Sequence, residues 1–263
     1  MKEGYYETRM SMDHSERVPP GVTVGRRWPD VTERIMVRPV GNPVPMYALH
    51  YSSRIPKEGE EIGYDFLKAD WVAPYGIGET VDVLIKIVTL DPTRRAGGEF
   101  SWRFPRPGDG MVRTDLPEEF ANSQFKMRRE APGHGYISDW RQISDLRGVD
   151  LMRAVSGGRA GQLVRVIPEG PLLSRTPFFI RIRSVINETG EVKEAIYGKI
   201  VSYPGTSANG VWFTYANNRE RATVSFTYYI NPDGTRNTEF DPERNLFEGV
   251  LRPQARDHFP RWP

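Results

Sequence analysis

Between Asn231 and Asp241 the chain gathers five amide or carboxylate side chains: Asn231, Asp233, Asn237, Glu239 and Asp241. Such a set suggests a Ca²⁺ loop. With Gly234 as the turn glycine, however, an EF-hand would place its first ligand at Tyr229 and its bidentate acid at Phe240, and neither supplies a carboxylate. Asn-Pro-Asp-Gly is also what a sharp turn requires, and that is the favoured reading here. The four histidines, His14, His50, His134 and His258, show no HxH, HxxxH or HExxH spacing. No metal site is therefore expected, and His134, flanked by two glycines, reads as a turn residue. Acids such as Asp65, Asp70, Asp139 and Glu239 would serve glycoside hydrolysis only if folding set two of them about 5–9 Å apart, which no linear spacing specifies. The glycine runs Gly76-Ile77-Gly78, Gly108-Asp109-Gly110 and Gly157-Gly158-Arg159-Ala160-Gly161 lack the lysine and hydroxyl of a phosphate loop, and there is no GxSxG elbow.

The aromatic residues offer a sharper possibility. Trp71, Tyr75, Trp102, Tyr136, Trp140 and Trp212 are candidates for a stacking platform, and Trp71, Trp102, Tyr136 and Trp140 form the ligand-binding set the sequence nominates. The competing reading is that aromatics on alternating strands belong to the core, and the alternation favours it.

The elements that must position these residues are mostly short strands. Alternation over Ile62–Trp71, Thr80–Leu90, Phe100–Phe104, Phe178–Ile186, Val192–Tyr203, Val211–Tyr215 and Val224–Ile230 has the period of β-structure. Thr80–Leu90 is apolar on much of both faces, so a central place in a sheet is expected. Asn187-Glu188-Thr189-Gly190 reads as a hairpin turn, and Phe178–Ile230 as a meander of about four strands. Phe178, Ile180, Ile182 and Ile186 are expected on one face of the first of these strands, with Arg181 and Arg183 on the other. Residues 105–160 break the alternation. They read as an irregular insertion with short helices near Asp115–Phe120 and Asp145–Val155.

The fold class that follows is mainly β: an antiparallel β-sandwich, or strongly twisted sheets, carrying that insertion. The expected organisation is an extended arm over 1–30, a β-rich body over 31–250, open to division into two packed subdomains, and a C-terminal arm over 251–263. Hydrophobic residues make up 38% and charged residues 27%, enough apolar content for a packed core. A net charge of +2 gives no field that would gather nucleic acid. No apolar run marks a signal peptide or a membrane span, and export after removal of a leader remains compatible with the sequence. Without cysteine there are no disulfides and no thiolate chemistry. Of the 36 basic residues 29 are Arg, a bias suited to bidentate contacts with carboxylates.

No motif is specific enough to name a family, and no cofactor is expected. Large residues on both faces of the Phe178–Ile230 sheet require cover by a second sheet, by the insertion or by another molecule. The functional expectation is a non-enzymatic β-sandwich protein that acts through protein contacts or self-association, as a subunit of a larger assembly or an exported surface protein. The alternative is a carbohydrate-binding or carbohydrate-active β-sandwich that uses the aromatic set.

Overall fold

A computed structural model gives the architecture, and it describes residues 6–7, 38–39, 41–91, 96–113, 128–144, 164–165, 178–201, 211–214, 222–251 and 259–260. The strands, in chain order, are β1 (Tyr6–Glu7), β2 (Arg38–Pro39), β3 (Val44–Arg54), β4 (Ile62–Asp65), β5 (Asp70–Trp71), β6 (Val83–Asp91), β7 (Ala96–Arg103) and β8 (Gly110–Arg113). They continue with β9 (Asp139–Ser144), β10 (Val164–Arg165), β11 (Phe178–Ile186), β12 (Val192–Val201), β13 (Val211–Thr214), β14 (Thr223–Asn231) and β15 (Phe240–Asn245). No helix occurs among the described residues, and none there is long and apolar enough to cross a membrane. The two expected helices lie outside the described residues.

The fold is the expected mainly-β, sandwich-like arrangement of two sheets. One sheet has six strands in the order β10-β9-β7-β6-β4-β5, all antiparallel. The other has the order β15-β3-β14-β12-β11-β8, with β13 also on β14, and only its β15–β3 pair is parallel. β6 lies between β7 and β4, as its two apolar faces required. Val83, Ile85 and Ile87 from β6 are fully buried in a core that also takes Phe178, Ile180, Val224, Phe226, Tyr228 and Ile230 from the opposite sheet. Aromatic rings bind the two layers edge to face. Trp140 meets Phe178 at 4.9 Å between centroids, and Trp102 meets Phe226 at 5.2 Å.

Residues 105–160 are more than an insertion. β8 extends the seven-stranded sheet beside β11, and β9 pairs along β7 in the other sheet. Their apolar residues are few and split between sheets, so neither strand announces itself by alternation.

The expected meander is also rearranged. β12 pairs with β14 up to Val201 opposite Thr227, and β13 resumes on the same flank with Val211 opposite Phe226. β13 therefore continues the line of β12, with residues 202–210 inserted between them. The other flank of β14 is taken by β3, from Thr223 opposite Arg54 to Ile230 opposite Tyr47. Gly198 is required where β12 meets β14: a Cβ there would lie 2.4 Å from the Tyr229 carbonyl oxygen.

The outer face of the seven-stranded sheet carries two apolar clusters among polar residues, and the chain itself packs against both. Phe179, Ala195 and Tyr197 pack with Ala131, Val112 and Tyr136, while Met46, Ala48 and Tyr229 pack with Phe240. Near the two ends of the sequence, Tyr6–Glu7 pairs with Arg38–Pro39, and Phe259 packs against the main core beside buried Pro260.

Candidate functional site

The nominated aromatic residues do not form one platform. Trp71, Trp102 and Trp140 are 4%, 0% and 6% exposed, so their ring faces are committed to the core. Tyr136 lies on the outer face of the other sheet, half-buried, with the Arg181 guanidinium 4.2 Å from its ring centroid. Arg181 donates from Nε to the Gly108 carbonyl at 2.6 Å and from Nη1 to the Gly133 carbonyl at 3.1 Å. Tyr136 donates to the Pro132 carbonyl at 3.0 Å. Burial raises the titration of the Tyr136 hydroxyl well above its ordinary value. The alternation that suggested a core role for these aromatics prevails because three of them sit on inward positions of the paired strands. The side chain of Trp212 lies outside the described residues.

The oxygen-rich stretch is turn chemistry. The Asn231 side-chain oxygen accepts from Asp233 N at 3.1 Å, Asp233 accepts from Thr235 N at 2.6 Å, and Asn237 accepts from Glu239 N at 2.9 Å. Glu239 accepts from Gly41 N at 3.1 Å, Asn42 N at 2.6 Å and Arg129 Nε at 2.6 Å. Asp241 is held by Glu243 N and by Arg244 Nε. These oxygens point at amides and guanidinium groups, not at a shared centre. Among the described residues no group of three or more His, Asp or Glu side chains is placed to hold a metal ion. His134 is exposed in its glycine turn, and His50 Nδ1 lies 3.0 Å from Thr227 Oγ1 on the outer sheet face. His14 and His258 lie outside the described residues.

The strongest polar constellation is one that the alternation hid. Arg183 has a φ of +54°, and the register of β11 against β12 shifts between Ile182 and Val185. This bulge turns Arg183 off the outer face, where alternation placed it, and into the space between the sheets. There Arg183 Nε meets Asp82 Oδ1 at 2.8 Å, and Nη2 meets Asp65 Oδ1 at 2.8 Å and Asp82 Oδ2 at 3.1 Å. Asp109, from the Gly108–Gly110 loop, accepts the two amides that the bulge takes out of the ladder: Arg183 N at 2.9 Å and Ser184 N at 2.8 Å. One loop thus caps the distortion while two acids from the facing sheet receive its side chain.

The chemistry of this cluster follows from its donors. Asp65 accepts from Leu67 N, Lys68 N and Arg183 through Oδ1, and from Glu79 N and Thr80 N through Oδ2. Asp82 Oδ2 also accepts Phe66 N at 2.9 Å. Burial pushes the Asp82 carboxyl above the usual carboxylate range, opposed by its bonds to Arg183 and Phe66. Desolvation likewise raises Asp109, opposed by the Ser184 and Arg183 amides. Burial works against the charge on Arg183, but Asp82 and Asp65 outweigh it and keep the guanidinium protonated. Asp65 and Asp82 thus join the two sheets through Arg183, while Asp109 ties the loop before β8 to the bulge of β11 within one sheet.

A third arrangement shapes the surface. Asp70, at the start of β5, accepts from Trp71 N at 2.8 Å and from Ile77 N at 2.9 Å. Tyr75 N donates to the Val72 carbonyl at 3.1 Å, and Gly78 N donates to the Trp71 carbonyl at 2.8 Å. Gly76 is required by this closure, because a Cβ there would lie 2.3 Å from the Trp71 carbonyl oxygen. The result is a pinned loop that carries Tyr75 at 40% and Ile77 at 77% exposure. The Gly76-Ile77-Gly78 run is thus a scaffold for an exposed apolar tip.

Tyrosine titration checks the burial pattern. Burial raises Tyr51, Tyr64, Tyr136 and Tyr228 above the ordinary value of 10.0. Because the folded values exceed the unfolded ones, this contribution to stability is complete below pH 10 and falls as pH rises further. An absorbance titration is expected to show these four tyrosines ionising only together with alkaline unfolding. Reversible ionisation of all twelve near pH 10 in a folded chain would contradict the packing.

No family model matches the chain, and neither a curated protein nor a solved structure matches it.

Proposed function

We propose that the chain is a non-enzymatic β-sandwich protein that works through protein contacts, as a subunit of a larger assembly or an exported surface protein. The observation that carries this reading is the 70–78 loop. Two backbone amides close on one carboxylate, and the loop holds Ile77 and Tyr75 out of the core in a fixed position. An apolar anchor ordered before contact loses little conformational entropy on binding, which is how rigid tips gain affinity. Aromatic residues such as Tyr75 are also enriched among the residues that dominate interface energetics. The buried acids support the same reading, since Asp65, Asp82 and Asp109 are bound up in holding the fold.

Light scattering on the whole chain tests this. Association that strengthens with concentration is expected, and Ile77→Asp is expected to weaken it while unfolding within about 0.5 kcal/mol of the parent, because the side chain is exposed. A chain that stays monomeric to millimolar concentration would contradict the self-associating form of the proposal. Equal association by the variant would remove the loop from it.

A further inference from the structure

The hairpin between β11 and β12 carries Asn187-Glu188-Thr189, the only Asn-x-Ser/Thr triplet in the sequence with a residue other than Pro in the middle. We infer that Asn187 is an acceptor for asparagine-linked oligosaccharide. This rests on the exported form of the reading above.

Three features of the turn support it. First, access is open, since every residue from Val185 to Glu191 is exposed. Second, the two ends of the Asn187 side-chain amide have separate tasks. The oxygen builds the turn: it accepts Thr189 N at 3.1 Å, Thr189 Oγ1 at 2.7 Å and Glu191 N at 2.8 Å. The nitrogen makes one surface contact, to Glu191 Oε2 at 3.3 Å. Thr189 Oγ1 also lies 3.4 Å from that same carboxylate oxygen. A sugar on Nδ2 replaces one of its two hydrogens, so it costs the hairpin at most one exposed hydrogen bond and leaves the oxygen's bonds in place. Third, Val185 and Ile186, immediately before the acceptor, are 49% and 41% exposed. A glycan on Asn187 would cover apolar surface that is otherwise open to water.

The donor class is a lipid-pyrophosphate-linked oligosaccharide, used by a transferase of the secretory route. Asn187 Nδ2 attacks C1 of the first sugar, so an N–C bond forms and the C1–O bond breaks. The lipid pyrophosphate leaves with the electron pair, and the displaced Nδ2 proton passes to a base of the transferase. No oxidant or reductant is involved.

Peptide mapping of the protein recovered from outside its producing cells tests the site. Trypsin cuts after Arg183 and Lys193, so one peptide, Ser184–Lys193, contains the acceptor as its only Asn. The expected result is a glycan-bearing form of that peptide which peptide-N-glycosidase converts to one with Asp at position 187. Asn187→Gln and Thr189→Ala are expected to abolish it, and Thr189→Ser to retain it. Only unmodified peptide in exported protein would overturn the site and leave the contact function standing. Protein confined to the cytosol and unmodified would overturn the site together with the exported form of that function, while association through Ile77 is read separately.

Discussion

Arg183→Met is expected to destabilise the protein by about 3–5 kcal/mol, the cost of removing one partner from a buried ionic cluster. The value should fall towards the lower figure, because the Arg183 side chain is 24% exposed and solvent screens part of its charge. The loss is unequal between the acids. Asp65 keeps four backbone amides, whereas Asp82 keeps only Phe66 N. Asp82 is already raised by burial, and without Arg183 it rises further. The sign follows: a carboxyl whose folded pKa lies above its unfolded one favours the fold most when protonated, and that advantage is lost as pH rises through the folded value. Arg183→Met should therefore cost more at pH 7 than at pH 4. Adding Asp82→Asn should recover part of the neutral-pH loss, a non-additivity that a double-mutant cycle measures. Denaturant unfolding that shows a loss below about 1 kcal/mol, equal at both pH values, would mean that the bulge does not depend on its ion pairs.

Trp102→Ala is expected to cost about 3–5 kcal/mol, as for other large aromatics deleted from a close-packed core. Trp102 is fully buried and touches Phe66, Phe100, Phe104 and Phe226. Its indole N–H has no hydrogen-bond partner among the described residues, so Trp102→Phe removes an unpaired donor there along with some volume. The Phe variant should retain most of the stability that Ala loses. Thermal unfolding of the two variants separates a packing role from a ligand-stacking role. A stacking surface would let both substitutions pass with little change in Tm, and only sugar binding would respond.

Much of the architecture was legible in the sequence because it is written in local patterns. The strands of Thr80–Leu90 and Phe178–Ile230 are marked by β-branched and aromatic runs bounded by turn residues. The Asn187–Gly190 turn falls where its residues predict, with Gly190 at a φ of +83°. What local pattern omits is pairing. Nothing in Val44–Arg54 points to Thr223–Asn231, distant in sequence, as its neighbour. Nor does anything near Val211 show that it continues the line of β12.

The Arg183 cluster was hidden for a related reason. A period of two assigned Arg183 to the outer face beside Arg181, and a bulge at a positive φ changed that assignment for one side chain. Asp65, Asp82 and Asp109 are scattered acids whose roles appear only once β4, β6 and the 108–110 loop face β11. The apolar tip was half visible: Tyr75 stood among the candidate aromatics and Gly76-Ile77-Gly78 among the glycine runs, but Asp70 as the residue that pins them emerges only from the loop closure.

Function through contact at the 70–78 loop is most directly tested by photo-crosslinking from position 77 in the cells that produce the chain, with a crosslinker at exposed Arg106 as the control position. A discrete protein adduct is expected from position 77, either a second copy or a partner subunit, and none of that size from position 106. Adducts absent from both positions, or identical at both, would contradict it.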